Sequence, residues 1–116
     1  MKVQNFKEIE ETDVTMEGSK DARMRLLISE KDGANNFAMR MFTVARGGHT
    51  PFHFHNYEHE IFVLEGTGLV KSEGQERPFK AGDVIFVEPN EKHQFVNAGE
   101  DEMKFLCLIP SQDKCA

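Results

Sequence analysis

Turn-forming residues punctuate this chain every eight to twelve residues, and the stretches between them show no helical period. The strand-like segments are RMRLLIS (23–29), FAMRMFTVA (37–45), HTPFHFH (49–55), HEIFVLEG (59–66), TGLVKSEG (67–74), ERPF (76–79), VIFVEP (84–89), HQFVNAG (93–99) and MKFLCLIP (103–110). Glycine-bearing turns fall at 30–36, at RGG (46–48) and at KAGD (80–83). Eight to ten short strands in this rhythm predict an all-β sandwich or barrel. A chain of 116 residues is long enough for one such domain with a modest core. Residues 1–20 are polar and weakly patterned, which suits an N-terminal arm or edge strand, and 21–116 would form the barrel domain.

Charge and composition remove several function classes. The net charge is −6, with Lys and Arg scattered among Glu and Asp, so no basic face is available for a nucleic-acid backbone. No apolar run occurs in the first twenty residues, which predicts neither a signal peptide nor a membrane span, and a cytoplasmic location. Cys107 and Cys115 are too far apart for a CxxC pair, and no structural disulfide is expected. Cys115, next to the end, reads as a frayed free thiol. Ten phenylalanines and no tryptophan predict a phenylalanine-rich interior.

Chemistry concentrates in the histidines. His53, His55 and His59 lie in HFHNYEHE, and His93 follows in PNEKHQFVN. Residues two apart on a strand share a face, so His53 and His55 would aim at one point from one strand, His59 from the next and His93 from a later one. Four neutral imidazoles converging on one point make a transition-metal site. His49 lies outside this spacing, ahead of Pro51, and reads as a solvent-facing loop residue. Glu58 reads as solvated.

The spacings are specific. Gly47, His53, His55, His59 and Gly66 stand in one frame, and Gly82, His93 and Asn97 in another, with fifteen residues between Gly66 and Gly82. These resemble the two motifs of the cupin superfamily, G(X)5HXH(X)3,4E(X)6G and G(X)5PXG(X)2H(X)3N. The resemblance spans 47–97 and implies a cupin-type double-stranded β-helix, a jelly-roll barrel. The count back from Gly66 puts His59 in the slot the family usually gives to Glu, with Glu60 as the neighbouring alternative. Glu88 and Asn90 replace the second motif's Pro and Gly, and Asn tolerates the positive φ needed there. Among cupins the pattern is most similar to small single-domain members that bind manganese or a similar ion through four histidines. The resemblance thus implies one divalent transition metal per chain at His53, His55, His59 and His93. Manganese comes first, with iron, zinc, nickel or copper as alternatives. It also implies a homodimer, for which Phe54, Phe62 and Leu64 are interface candidates and segment 1–20 a candidate crossing arm.

Alternation fills in the pocket. With Lys104 toward water, Met103, Phe105, Cys107 and Ile109 face inward, which sets Cys107 near the metal as a pocket residue or a small buried hydrophobe. Phe95 should point inward beside His93, while Phe52 and Phe54 face the other layer or a partner. Arg40, between two methionines, reads as an anion clamp or as a surface residue. No general base stands out, so metal-centred oxidation of a small organic molecule, dioxygenase-like, is favoured over acid–base chemistry. The alternatives are a non-catalytic small-ligand or metal-binding module and a metal-assisted lyase or isomerase.

Overall fold

The computed structural model describes residues 1–111; Cys115, read above as a free thiol, lies outside them. Nine strands appear in chain order: β1 Glu11–Asp13, β2 Lys20–Ile28, β3 Phe37–His49, β4 His59–Glu65, β5 Thr67–Ser72, β6 Gln75–Lys80, β7 Val84–Val87, β8 Gln94–Val96 and β9 Met103–Pro110. Two short 3-10 turns, Phe6–Glu8 and Glu30–Asp32, are the helical elements among the described residues. None is long and apolar enough to cross a membrane. All pairings are antiparallel, in the order β6-β5-β8-β3-β9-β4-β7, with β2 on β3 and β1 on β2. The strand rhythm predicts an all-β sandwich or barrel, and the jelly-roll barrel that the cupin resemblance implies is the observed architecture.

Strand alternation decides which side chains enter the barrel. Along β9, Met103, Phe105, Cys107 and Ile109 are buried, as their spacing predicts. Phe105 pairs with Phe42 on β3 and with Val63 on β4, and Cys107 with Arg40 and Ile61. The rings of Phe42 and Phe95 lie 5.3 and 5.0 Å from that of Phe105, so this one side chain joins β3 to β8 across the interior. The outer faces of β4 and β7 expose Phe62, Leu64, Val84 and Phe86, and the connection after β3 exposes Phe52 and Phe54.

Several local expectations shift. RGG is not a turn: β3 runs through it to His49, so His49 ends a strand instead of sitting in a loop. Gly48 is needed there because a Cβ would come within 2.6 Å of the Lys20 carbonyl oxygen. Residues 50–58 do not form the continuous strand expected of HTPFHFH; they hold one isolated bridge, His53 to His93. Pro51 offers no N–H to a ladder, which accounts for part of this break. At the other end, β1 pairs with β2 of its own chain, and Arg25 donates to the carbonyls of Phe6 and Ile9.

Candidate metal centre

The histidine cluster is assembled by backbone pairing. His53 and His93 exchange N–H···O bonds of 3.2 and 2.9 Å, which sets their side chains next to one another. The Asn90 N–H donates to the His55 carbonyl at 2.6 Å and ties the turn before His93 to the same stretch. Asn90 has φ 67°, the left-handed conformation expected where the family motif has Gly. Asn97, the last residue of the second frame, donates its amide to the Val44 and Asp101 carbonyls, so its work is to hold the β8–β9 turn.

Ring nitrogens of His53, His55 and His93 lie within 4.8 Å of one another, close enough to share one ion. His59 enters from the start of β4. Its ring is stacked 4.7 Å from that of His55 and lies 5.0 Å from that of His93. Glu60, the alternative to His59, is exposed on the other face of β4, as alternation requires. The Nδ1 of His93 lies 2.9 Å from the Glu91 carbonyl, an oxygen that only accepts, so Nδ1 carries the proton and Nε2 keeps its lone pair. The Nε2 atoms of His59 and His93 are buried without a hydrogen-bond partner. A buried polar atom left unpaired is costly. The unpaired Nε2 of His93, inside the group of three, fits a divalent transition metal, which takes neutral imidazole ligands, while the ring nitrogens of His59 lie outside that 4.8 Å group.

Burial keeps the rings neutral. Desolvation, reinforced by the Arg40 charge and the neighbouring imidazoles, pushes His59 down to about 2. His55 falls to about 4 for the same first cause, reinforced by His53. His53 and His93 are also lowered, chiefly by burial. The unfolded chain regains protons near pH 6.5 while the folded rings stay neutral, so stability falls as pH drops below 6.5. At pH 5.5 the loss is about 1.4 kcal/mol for buried His59, with a smaller share from half-exposed His55. The metal-free protein should therefore lose roughly 5–10 °C in Tm between pH 7.5 and 5.5, measured by calorimetry. A pH-independent Tm over that range would contradict neutral, desolvated rings.

A cavity of about 550 Å³ opens on this cluster. Its walls include the four histidines, Arg40, Phe42, Met24, Phe95, Phe105 and Cys107. All four pocket candidates from the sequence are thus brought to one cavity. The Cys107 sulfur sits 3.2 Å from His59 Nδ1 and 3.1 Å from an Arg40 Nη2 that donates to it. Burial raises the Cys107 thiol above its ordinary value. The wall residues the sequence did not point to include Asp13 and Met24, delivered by strands β1 and β2, and Tyr57, whose ring stacks 4.7 Å from that of His55. The position of Tyr57 between two histidines of the frame was an available signal; Asp13 carried none. His49 lies elsewhere, half-buried, with its Nδ1 3.2 Å from the Gln94 amide nitrogen.

Comparison with known proteins agrees with this picture. The cupin domain family profile matches residues 40–109. An oxalate-binding protein of Thermotoga maritima is 34% identical over 96 residues, covering 79% of this chain and 78% of that protein. The crystal structure of the polyketide cyclase RemF from Streptomyces resistomycificus superposes with a TM-score of 0.90 at 35% identity, over 95% of this chain and 79% of that one. A predicted oxalate decarboxylase from Thermotoga maritima gives a TM-score of 0.84 at 29% identity, over 95% and 99%. With a profile spanning more than half of its length and the fold and histidine frame to match, this chain belongs to the cupin family.

Proposed function

We propose that this cupin is a metal-dependent enzyme acting on a small organic molecule held in the histidine-walled cavity. In this reading His53, His55, His59 and His93 hold one divalent transition ion, manganese in first place. The observation that carries it is the pair of buried, unpartnered Nε2 atoms on His59 and His93 beside a largely apolar cavity. When bound, such an ion supplies Lewis-acid polarisation and, for manganese or iron, one-electron redox capacity toward dioxygen. The protein's own residues do the rest. Phe42, Phe95, Phe105 and Met24 exclude water and pack an apolar or aromatic body. His93 is held in its ligating tautomer by the Glu91 carbonyl. Dioxygenase-like oxidation is the reaction we propose for this setting.

A second reading, metal-assisted cyclisation or lyase chemistry without net oxidation, has a specific observation behind it. Asp13 and Tyr57 line the cavity and add titratable groups that the sequence did not suggest. The similarity to a polyketide cyclase along most of the chain points the same way. An oxygen electrode separates the two. Manganese- or iron-loaded protein given catechol should consume oxygen, and the metal-free protein should not. Catechol that binds, seen by calorimetry, without oxygen uptake would contradict the oxidative reading and favour the second.

A further inference from the structure

Among the described residues, Arg40 is the one cation in the cavity wall, and it has no carboxylate of its own. Arg40 lies mid-strand on β3, side chain inward. Among the described residues none of the ion pairs involves it. Its Nε is buried and without a hydrogen-bond partner. Its guanidinium lies over the Phe42 ring, 5.0 Å from the centroid, and Nη2 rests on the Cys107 sulfur at 3.1 Å. Those two contacts fix the plane of the fork and leave donors unused. An arginine with only a scaffolding role in a core is ordinarily satisfied by a carboxylate or by backbone oxygens. One at the surface would have water at Nε. Arg40 has neither.

The surroundings make this charge a recognition element. A divalent ion among the nearby imidazoles would add positive charge beside the guanidinium. The acidic residue on the cavity wall is Asp13, which is exposed on β1 at the edge and not within ion-pair distance of Arg40. The Cys107 sulfur bridges Arg40 and His59, at 3.1 and 3.2 Å, so the guanidinium stands one atom away from the histidine cluster. Apolar walls, a planar donor fork and a chelating cluster side by side match one kind of ligand.

We infer that the cavity takes an apolar, ring-bearing organic acid whose carboxylate is received by Arg40 while a neighbouring oxygen reaches the histidine cluster. This rests on the reading of the cavity as the ligand site of a metal centre. It names the substrate class, which neither the fold nor the histidine frame specifies. Arg40 is then the residue that distinguishes an acid from its neutral analogue. A lysine could supply the charge but not the planar fork.

The test is titration calorimetry with manganese-loaded protein and two isosteric probes, salicylate and its neutral amide salicylamide. Wild-type protein should bind salicylate at least about tenfold more tightly than salicylamide. Arg40→Met, close in length and apolar, should lose about 10- to 100-fold for salicylate and change little for salicylamide. Arg40→Lys should recover part of the loss. Metal content and Tm are measured on each variant, so a damaged metal centre or fold is seen separately from a lost anion contact. If the wild type proves to hold no metal, the metal reading fails by itself. The same titrations on metal-free protein must then still show the Arg40-dependent preference. Equal affinity of wild type and Arg40→Met for salicylate, equal affinity of the wild type for both probes, or no binding of salicylate at all would overturn the proposal.

Discussion

Replacing His93 by Ala should leave a folded barrel that binds Mn²⁺ about 100- to 1000-fold more weakly than wild type. His93 is buried, its Nε2 has no partner among the described residues, and its backbone is locked to His53 by two hydrogen bonds. Structural zinc sites with four protein ligands bind with about 10–16 kcal/mol in all, roughly 2.5–4 kcal/mol per ligand, and a similar share for one Mn²⁺ ligand sets that factor. His59→Ala should weaken binding in the same direction. The reciprocal bonds between residues 53 and 93 come from the backbone and survive both changes. Circular dichroism should therefore be unchanged while competition titration with a metal indicator shows the loss. The wild type should also gain about 2.7 kcal/mol of apparent stability with Mn²⁺ at a hundred times its Kd, and the variants should gain far less at the same concentration. Undiminished affinity in His93→Ala would remove His93 from the ligand set.

Phe105→Ala should cost about 3–5 kcal/mol of folding stability and lower Tm by roughly 15–25 °C. Phe105 is 2% exposed and sits on β9, between β3 and β4 in the sheet. Its ring packs on Phe42 of β3 and on Phe95 of β8, and its backbone pairs with both β3 and β4. No single neighbour can collapse into the space left behind, because the contacts come from opposite sides. The same ring is a wall of the ligand cavity, so the variant joins a void to the site. Phe105→Leu, which keeps most of the apolar volume, should lose clearly less. Thermal unfolding of the two variants at one pH checks this. A loss under 1 kcal/mol for Phe105→Ala would contradict a packed seam at this position.

The histidine frame was legible because it rests on short-range geometry and on counting. The inward set on β9 followed from alternation alone. The choice of His59 over Glu60 followed from the count to Gly66 and from the opposite facing of adjacent residues, and the structure turns Glu60 outward. What was not legible depends on distant parts of the chain. RGG resembles a turn because two glycines sit together, yet Gly48 serves a close approach of β2 to β3 that only the fold reveals. His53 and His55 share the cavity although they are not in a regular strand, because His93, the residue ahead of β8, pairs with His53 at an isolated bridge. Asp13 and Met24 reach the cavity through the pairing of β1 with β2 and of β2 with β3, and nothing local marks them. The absence of a general base was therefore inferred from an incomplete wall. Arg40 was ambiguous for a similar reason. Its inward facing follows from its pairing with Cys107 across β3 and β9, a contact between residues far apart in sequence.

The most direct test of a metal centre is the metal content of the wild-type chain, purified without a histidine tag and measured by plasma mass spectrometry before and after equilibration with Mn²⁺ and gel filtration. The account predicts about one equivalent of a divalent transition metal per chain. A chain that carries none as purified and retains none after equilibration would contradict it.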